Sequence, residues 1–414
     1  MRFSLKTPLF CGLLVLLSGC SSVNIPTWPP VTLRPLWTAN IPAIEQPTLS
    51  GDVYLTQQIT ADQTNTVGMT AVNTRTHQVQ WRDNLPAPSR VDDPLLIYGN
   101  YATTYQGRLI NFSLGTGLVV RDPNTNTKFR TIPFPADVYT PKGSRAGRTH
   151  WETYRNLLLI PLNDVLLAYD MDELIGTASS VAPVWKVTFP TLGTSVQNID
   201  NISVDQQSGT VAFTVIAQDE VKKTTSTTLH VLNATSGAER WKRVIHDDPT
   251  SDVFERGTTG AGEGVVIVNL IGEAKFMGFD LNGQQLFETG KFYCPGGGTD
   301  VYDFMVVKNG QFYPVPHGDA CISAWNLRTG QQNWVFAAPS GLDNTFAQVP
   351  LILNGVVYGT NGVFWALDEQ SGAVLGRSDR MSRVQGFKGT PTYDARNNQM
   401  LVWGDQLYAF RPVK

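Results

Sequence analysis

Charge is scarce in this chain of 414 residues: Lys, Arg, Asp and Glu together make up 16% of it, and no block of one sign stands out. A nucleic-acid-binding protein would carry a basic stripe, so that class is excluded. Histidine is scarcer. His77, His150, His230, His246 and His317 are scattered, and no His-Glu-x-x-His pair exists for a metal. Gly-x-Ser-x-Gly and Gly-x-x-x-x-Gly-Lys-Ser/Thr are also missing, which removes the elbow hydrolases and the P-loop nucleotide enzymes. His246-Asp247-Asp248 and His317-Gly318-Asp319 could be drawn as metal or acid/base groups, but they read more simply as solvated loop residues. Long apolar runs are absent too. The one at residues 8–17 is too short to span a bilayer.

That short run has a meaning of its own. Arg2 and Lys6 precede it, and Leu17-Ser18-Gly19-Cys20 ends it with small residues before a cysteine. The pattern resembles the cleavage box of bacterial lipoproteins. The resemblance implies removal of residues 1–19 as a signal peptide, then diacylglycerol on the Cys20 sulfur and a fatty acyl (palmitate-type) group on its amine. Several acyl chains make a stable anchor, since each buried methylene adds roughly 0.8 kcal/mol. Ser21 and Ser22 follow where an aspartate would signal inner-membrane retention, so the expected location is the outer membrane, facing the periplasm. Residues 20–34, with Pro26, Pro29 and Pro30, read as a lipidated, semi-extended tether. Processing takes the net charge from −3 to −5, because two cations and no anion leave.

Four cysteines then reduce to two: Cys11 departs with the signal and Cys20 takes lipid. Cys294 and Cys321 remain as an even pair in an oxidising compartment, either bonded or as two separate thiols. A bond would close a loop of 27 positions and stabilise by roughly 2–4 kcal/mol.

What the sequence has in plenty is glycine, 37 residues, with proline, 25, and a sentence written repeatedly. Ala71-Val72-Asn73 leads to Trp81, Val231-Leu232-Asn233 to Gly237 and Trp241, and Ala324-Trp325-Asn326 to Gly330 and Trp334. Ala366-Leu367-Asp368 leads to Gly372 and Leu375. Weaker copies centre on Asp122 with Phe129, Asp170 with Trp185, and Asp280 with Phe287. The repeat distance runs from 42 to 63 residues. A period in the forties with strand-like content marks a β-propeller, one four-stranded blade per repeat. In each unit the Asn or Asp can bond the turn backbone, the glycine supplies positive φ, and the tryptophan covers the joint between blades.

The ends complete the count. Residues 407–411 hold the first half of an eighth motif, and residues 36–41, with Trp37, look like its second half. The expected fold is all-β: an eight-bladed propeller of four-stranded antiparallel blades over residues 35–414. Its ring would be closed by an N-terminal strand pairing with the C-terminal blade, which removes open edges. Trp37, Trp81, Trp185, Trp241 and Trp334 are its expected structural rings.

The motif Ala-x-Asp/Asn-x-x-Thr/Ser-Gly-x-x-x-Trp resembles the repeats of the quinoprotein-dehydrogenase-like (PQQ-repeat) propellers. Within them, a lipidated eight-blade ring of this length resembles the BamB-like outer-membrane assembly lipoproteins. That resemblance implies a non-catalytic scaffold with no cofactor and no metal. Its partner would be an envelope protein such as the periplasmic domains of a BamA-like barrel assembly factor, bound by a monomeric propeller within a complex. The alternative is a periplasmic PQQ-dependent dehydrogenase or a ligand-binding propeller. Resemblance to those enzymes calls for a vicinal cysteine pair, a tryptophan under the quinone and Glu, Asn and Asp around a calcium ion, whereas the surviving cysteines here are 27 positions apart. For a partner surface, residues 136–156 mix Lys142, Arg145, Arg148 and Arg155 with Trp151, Tyr139 and Tyr154, which reads either as an interaction hot spot or as a solvated insertion whose aromatics pack on the blade edge. The acidic stretch 246–259 and the small-residue insertion 171–183 are weaker candidates.

Overall fold

The computed structural model describes residues 31–413 except 42–47, 60–66, 86–101, 114–116, 139–150, 163, 190–197, 200–201, 220–223, 249–256, 271–273, 296–301, 317–320, 340–348, 382–389 and 404–405. Among the described residues the strands form eight sheets. Blades 1 to 6 occupy 48–85, 102–132, 152–188, 198–248, 257–288 and 302–337. Blades 7 and 8 occupy 351–378 and 392–410, each with added N-terminal strand.

Each blade is an antiparallel meander whose alternating residues pack against the next blade. Val265, Ile267 and Phe276 of blade 5 meet Phe312 and Trp325 of blade 6 in one apolar cluster. The motif turns follow from the Asx side chain. Asn233 Oδ1 accepts from the Thr235 and Ser236 amides at 2.9 and 3.2 Å, and Asp368 Oδ1 from Gln370 and Ser371 at 3.1 and 2.8 Å. Asn73, Asp122, Asp280 and Asn326 do the same in their own turns. At Asp170 the insertion begins as a short helix, Met171–Ile175, which Asp170 caps by accepting from the Asp172 and Glu173 amides.

The ring closes as the half-motifs require. Pro35–Ala39 pairs antiparallel with Leu407–Phe410, with Trp37 opposite Ala409. One strand was not expected. Val31–Leu33, in the segment read as tether, pairs in parallel with blade 7, Val31 opposite Gly376 and Leu33 opposite Ser378. Blade 7 therefore has five strands. Leu33 is buried there in the cluster that also holds Phe364, Trp403 and Phe410, which explains why three residues next to a proline-rich segment order as a strand.

Candidate functional site

The repeated side chains are spent on the joints between blades. Trp81 Nε1 donates to the Pro123 carbonyl at 2.8 Å, Trp185 to Ala234 at 3.0 Å, Trp241 to Leu281 at 3.0 Å and Trp334 to Glu369 at 2.9 Å. Each acceptor lies in the motif turn of the following blade. The Trp185, Trp241 and Trp334 rings then rest on that turn's glycine, Gly237, Gly283 and Gly372, whereas the blade 2 turn that receives Trp81 has Asn126 at positive φ in that place. At Gly372, φ is +68° and a Cβ would sit 2.6 Å from Trp334, so the position needs both the left-handed backbone and the missing side chain. Trp37 closes the ring differently: its Nε1 donates to Gln399 at 2.9 Å, and its face stacks on His77 with ring centroids 3.9 Å apart. His77 occupies the glycine's place in the blade 1 turn, with φ 59°.

Three blades lack the tryptophan, and each supplements the smaller residue in its place with contacts that the motif did not announce. In blade 2 the Arg108 guanidinium lies 3.8 Å over Phe129, and Arg130 donates to the carbonyls of Glu173, Gly176 and Ala178 at 3.2, 2.7 and 2.5 Å. Blade 5 seats Phe287 against Gly330, while Arg328 donates to the Glu263 carbonyl at 2.8 Å and Glu263 accepts from the Gly310 amide at 2.9 Å. Blade 7 has the extra strand. In the sequence, Phe129 and Phe287 mark the ring positions, and the added arginine contacts have no counterpart in the motif.

Buried carboxylates are likewise structural. Asp394 accepts from Tyr54 of blade 1 at 2.7 Å, from Asn397 at 2.7 Å and from Gln399 at 3.3 Å. Burial alone would raise its pKa, and these donors more than reverse that, holding the carboxyl below its usual value. Tyr54 responds in the opposite sense, raised by burial and by the Asp394 charge. Glu369 accepts from Asn309 at 2.8 Å and from Tyr313 at 3.2 Å across the blade 6–7 joint. Glu152, on the first strand of blade 3, is the exception in character: burial pushes it up to about 7.

Cys294 and Cys321 form a disulfide with α-carbons 5.7 Å apart, in a small cluster with Val335 and Phe292. It ties the blade 5–6 connection to a strand of blade 6. The expected partner-binding set separates. Lys142, Arg145 and Arg148 lie outside the described residues, and Arg155 is exposed at a hairpin tip. Trp151 corrects the expectation: it is 6% exposed, packed in the blade 2–3 core with Ile132, Val138 and Leu158, and offers no face to a partner. Tyr154 is buried as well, against blade 4, where its hydroxyl would meet a Cβ on Gly209. His317-Gly318-Asp319 and most of the acidic stretch 246–259 also lie outside the described residues.

The resemblance to quinoprotein dehydrogenases implies a calcium site and adjacent cysteines. Among the described residues no group of three His, Cys, Asp or Glu side chains converges on a metal position, and the two cysteines are bonded to each other across 27 positions. No described helix is long and apolar enough to cross a membrane.

These joints define an eight-bladed propeller closed at its ends. The same fold is found in BamB from Moraxella catarrhalis, at 14% identity and TM-score 0.58, covering 92% of this chain and 100% of that one. A europium-containing methanol dehydrogenase superposes with TM-score 0.63 at 12% identity, covering 89% of this chain and 84% of its own. The quinohemoprotein alcohol dehydrogenase of Comamonas testosteroni gives 0.60 at 11%, covering 92% and 77%. No protein-family model matches the sequence, and no curated protein matches it significantly. The TM-scores do not separate BamB from the dehydrogenases. The lengths do differ, since this chain accounts for all of BamB and leaves part of each dehydrogenase uncovered.

Proposed function

We propose that the chain is a non-catalytic scaffold lipoprotein, anchored through Cys20 in the outer membrane and facing the periplasm. There it binds envelope proteins in the assembly of outer-membrane β-barrels, in the manner of BamB. The observation that carries this reading is the use made of the repeats. Their Asp and Asn side chains bond their own turns, and their tryptophans lock neighbouring blades. A ring locked at its joints is a rigid body that presents loops, and loops on a rigid frame suit partner binding. The bonded cysteines and the match in length to BamB support it further. Arg155, with Lys142, Arg145 and Arg148 nearby in sequence, is the proposed partner contact, now without Trp151.

The second reading, a periplasmic PQQ-dependent dehydrogenase, draws on the superposition with methanol dehydrogenase. Titrating the purified protein with pyrroloquinoline quinone and calcium tests the choice. The scaffold reading expects neither stoichiometric quinone binding nor turnover of alcohols or sugars. Binding with turnover overturns it.

A further inference from the structure

The two outermost strands of blades 7 and 8 are both made by the first described residues of the chain. Val31–Leu33 edges blade 7 and Pro35–Ala39 edges blade 8, so the chain enters the ring along its outer rim rather than from either face. Val31 lies eleven positions after Cys20. Fully extended that stretch reaches about 40 Å, and as a flexible chain about 18 Å. This rim also carries the chemistry of a lipid contact. Val31 is 67% exposed and Leu36 49%, large apolar side chains left in the open on adjoining strands. Around them, residues 31–41, 374–381 and 407–413 hold Arg34, Arg377, Arg380 and Arg411 against a single acid, Asp379. Arg34, Arg380 and Arg411 are exposed. Apolar side chains set among arginines suit an anionic headgroup layer, which takes up the first and attracts the second.

We propose that the outer rim of blades 7 and 8 is the surface that lies against the membrane, so that the ring stands edge-on with blades 3 and 4 farthest away. The proposal rests on the lipid anchor at Cys20. The test uses the lipidated full chain in vesicles of phosphatidylethanolamine and phosphatidylglycerol that carry a headgroup nitroxide. A fluorophore is placed by Leu36→Cys or, as the far control, by Val244→Cys on the outer strand of blade 4, where Val244 is 58% exposed. The added cysteine is the reactive thiol, because Cys294 and Cys321 are bonded and Cys20 carries lipid. The label at position 36 loses its emission, and the label at 244 keeps it. Equal loss at both positions, or loss at 244 alone, overturns the rim assignment and leaves the anchor standing. Failure to float with the vesicles overturns the anchor and the rim together, and it is read before any fluorescence. Arg34→Glu with Arg411→Glu restores emission at position 36 in chains that still float, and unchanged quenching overturns the electrostatic part of the contact.

Discussion

The joint between blades 6 and 7 and the joint between blades 2 and 3 solve one problem with different chemistry. At the first, Trp334 is 3% exposed, donates to the Glu369 carbonyl and rests on Gly372. At the second, Phe129 is 48% exposed under Arg108, and Arg130 supplies the donors to three carbonyls around the blade 3 helix. A tryptophan joint combines apolar burial with one hydrogen bond in a single buried residue. The arginine joint has the hydrogen bonds and little of the burial. The ring should therefore be held unevenly, tightly at tryptophan joints and more loosely at the joint after blade 2.

Truncation separates the two most sharply. Trp334→Ala should cost about 3–5 kcal/mol, the range for deleting a buried aromatic ring, whereas Phe129→Ala should cost about 1 kcal/mol at its exposed site. Urea unfolding midpoints measure both, and equal losses would break the comparison. Next comes the seat beneath the ring. Gly372→Ala places a Cβ against Trp334 and forces an L residue to positive φ, for a loss of about 2–4 kcal/mol. Gly355 has similar φ, +77°, with nothing within 4 Å of its Cβ position, so Gly355→Ala should cost only about 1–2 kcal/mol. The difference between these two variants isolates ring contact from backbone strain. Arg130→Met should cost about 1 kcal/mol, with amide exchange rising in residues 171–178 and not at the Trp334 joint.

The smallest effect is on pH. Burial lowers the pKa of His230 despite the opposing hydrogen bond to Glu239, and burial also lowers that of His77. A histidine with a depressed folded pKa takes up its proton more readily in the unfolded chain. Its contribution is therefore intact above about pH 6.5 and lost as pH falls below it. Urea midpoints should drop between about pH 7 and about pH 5. His77→Gly, which restores the usual glycine under Trp37, should shrink that drop, and an unchanged pH profile would remove His77 from the account.

How much of this was legible in the sequence depends on whether a residue's neighbour lies at the repeat distance. Trp81, Gly237 and Asp368 announce themselves because the same residues recur at the same offsets, and the half-motif at Trp37 could be matched to 407–411 for the same reason. Val31–Leu33 could not be foreseen, because three residues have no period and the partner strand is more than 340 positions away. Trp151 left two readings open because arginines mixed with aromatics look alike whether the rings face solvent or core; only the packing with Ile132 and Leu158 decides. His77 was invisible as a joint residue because it breaks the glycine rule that it structurally obeys.

The central claim is that this locked ring serves as a membrane-anchored holder of another envelope protein. The most direct measurement is crosslinking of the intact lipoprotein in native outer membranes, followed by identification of the linked peptides. Links are expected between the propeller and the periplasmic domains of the barrel assembly factor, reduced by charge reversal at Arg145 and Arg148. Efficient crosslinking that yields no link to that factor would contradict the claim.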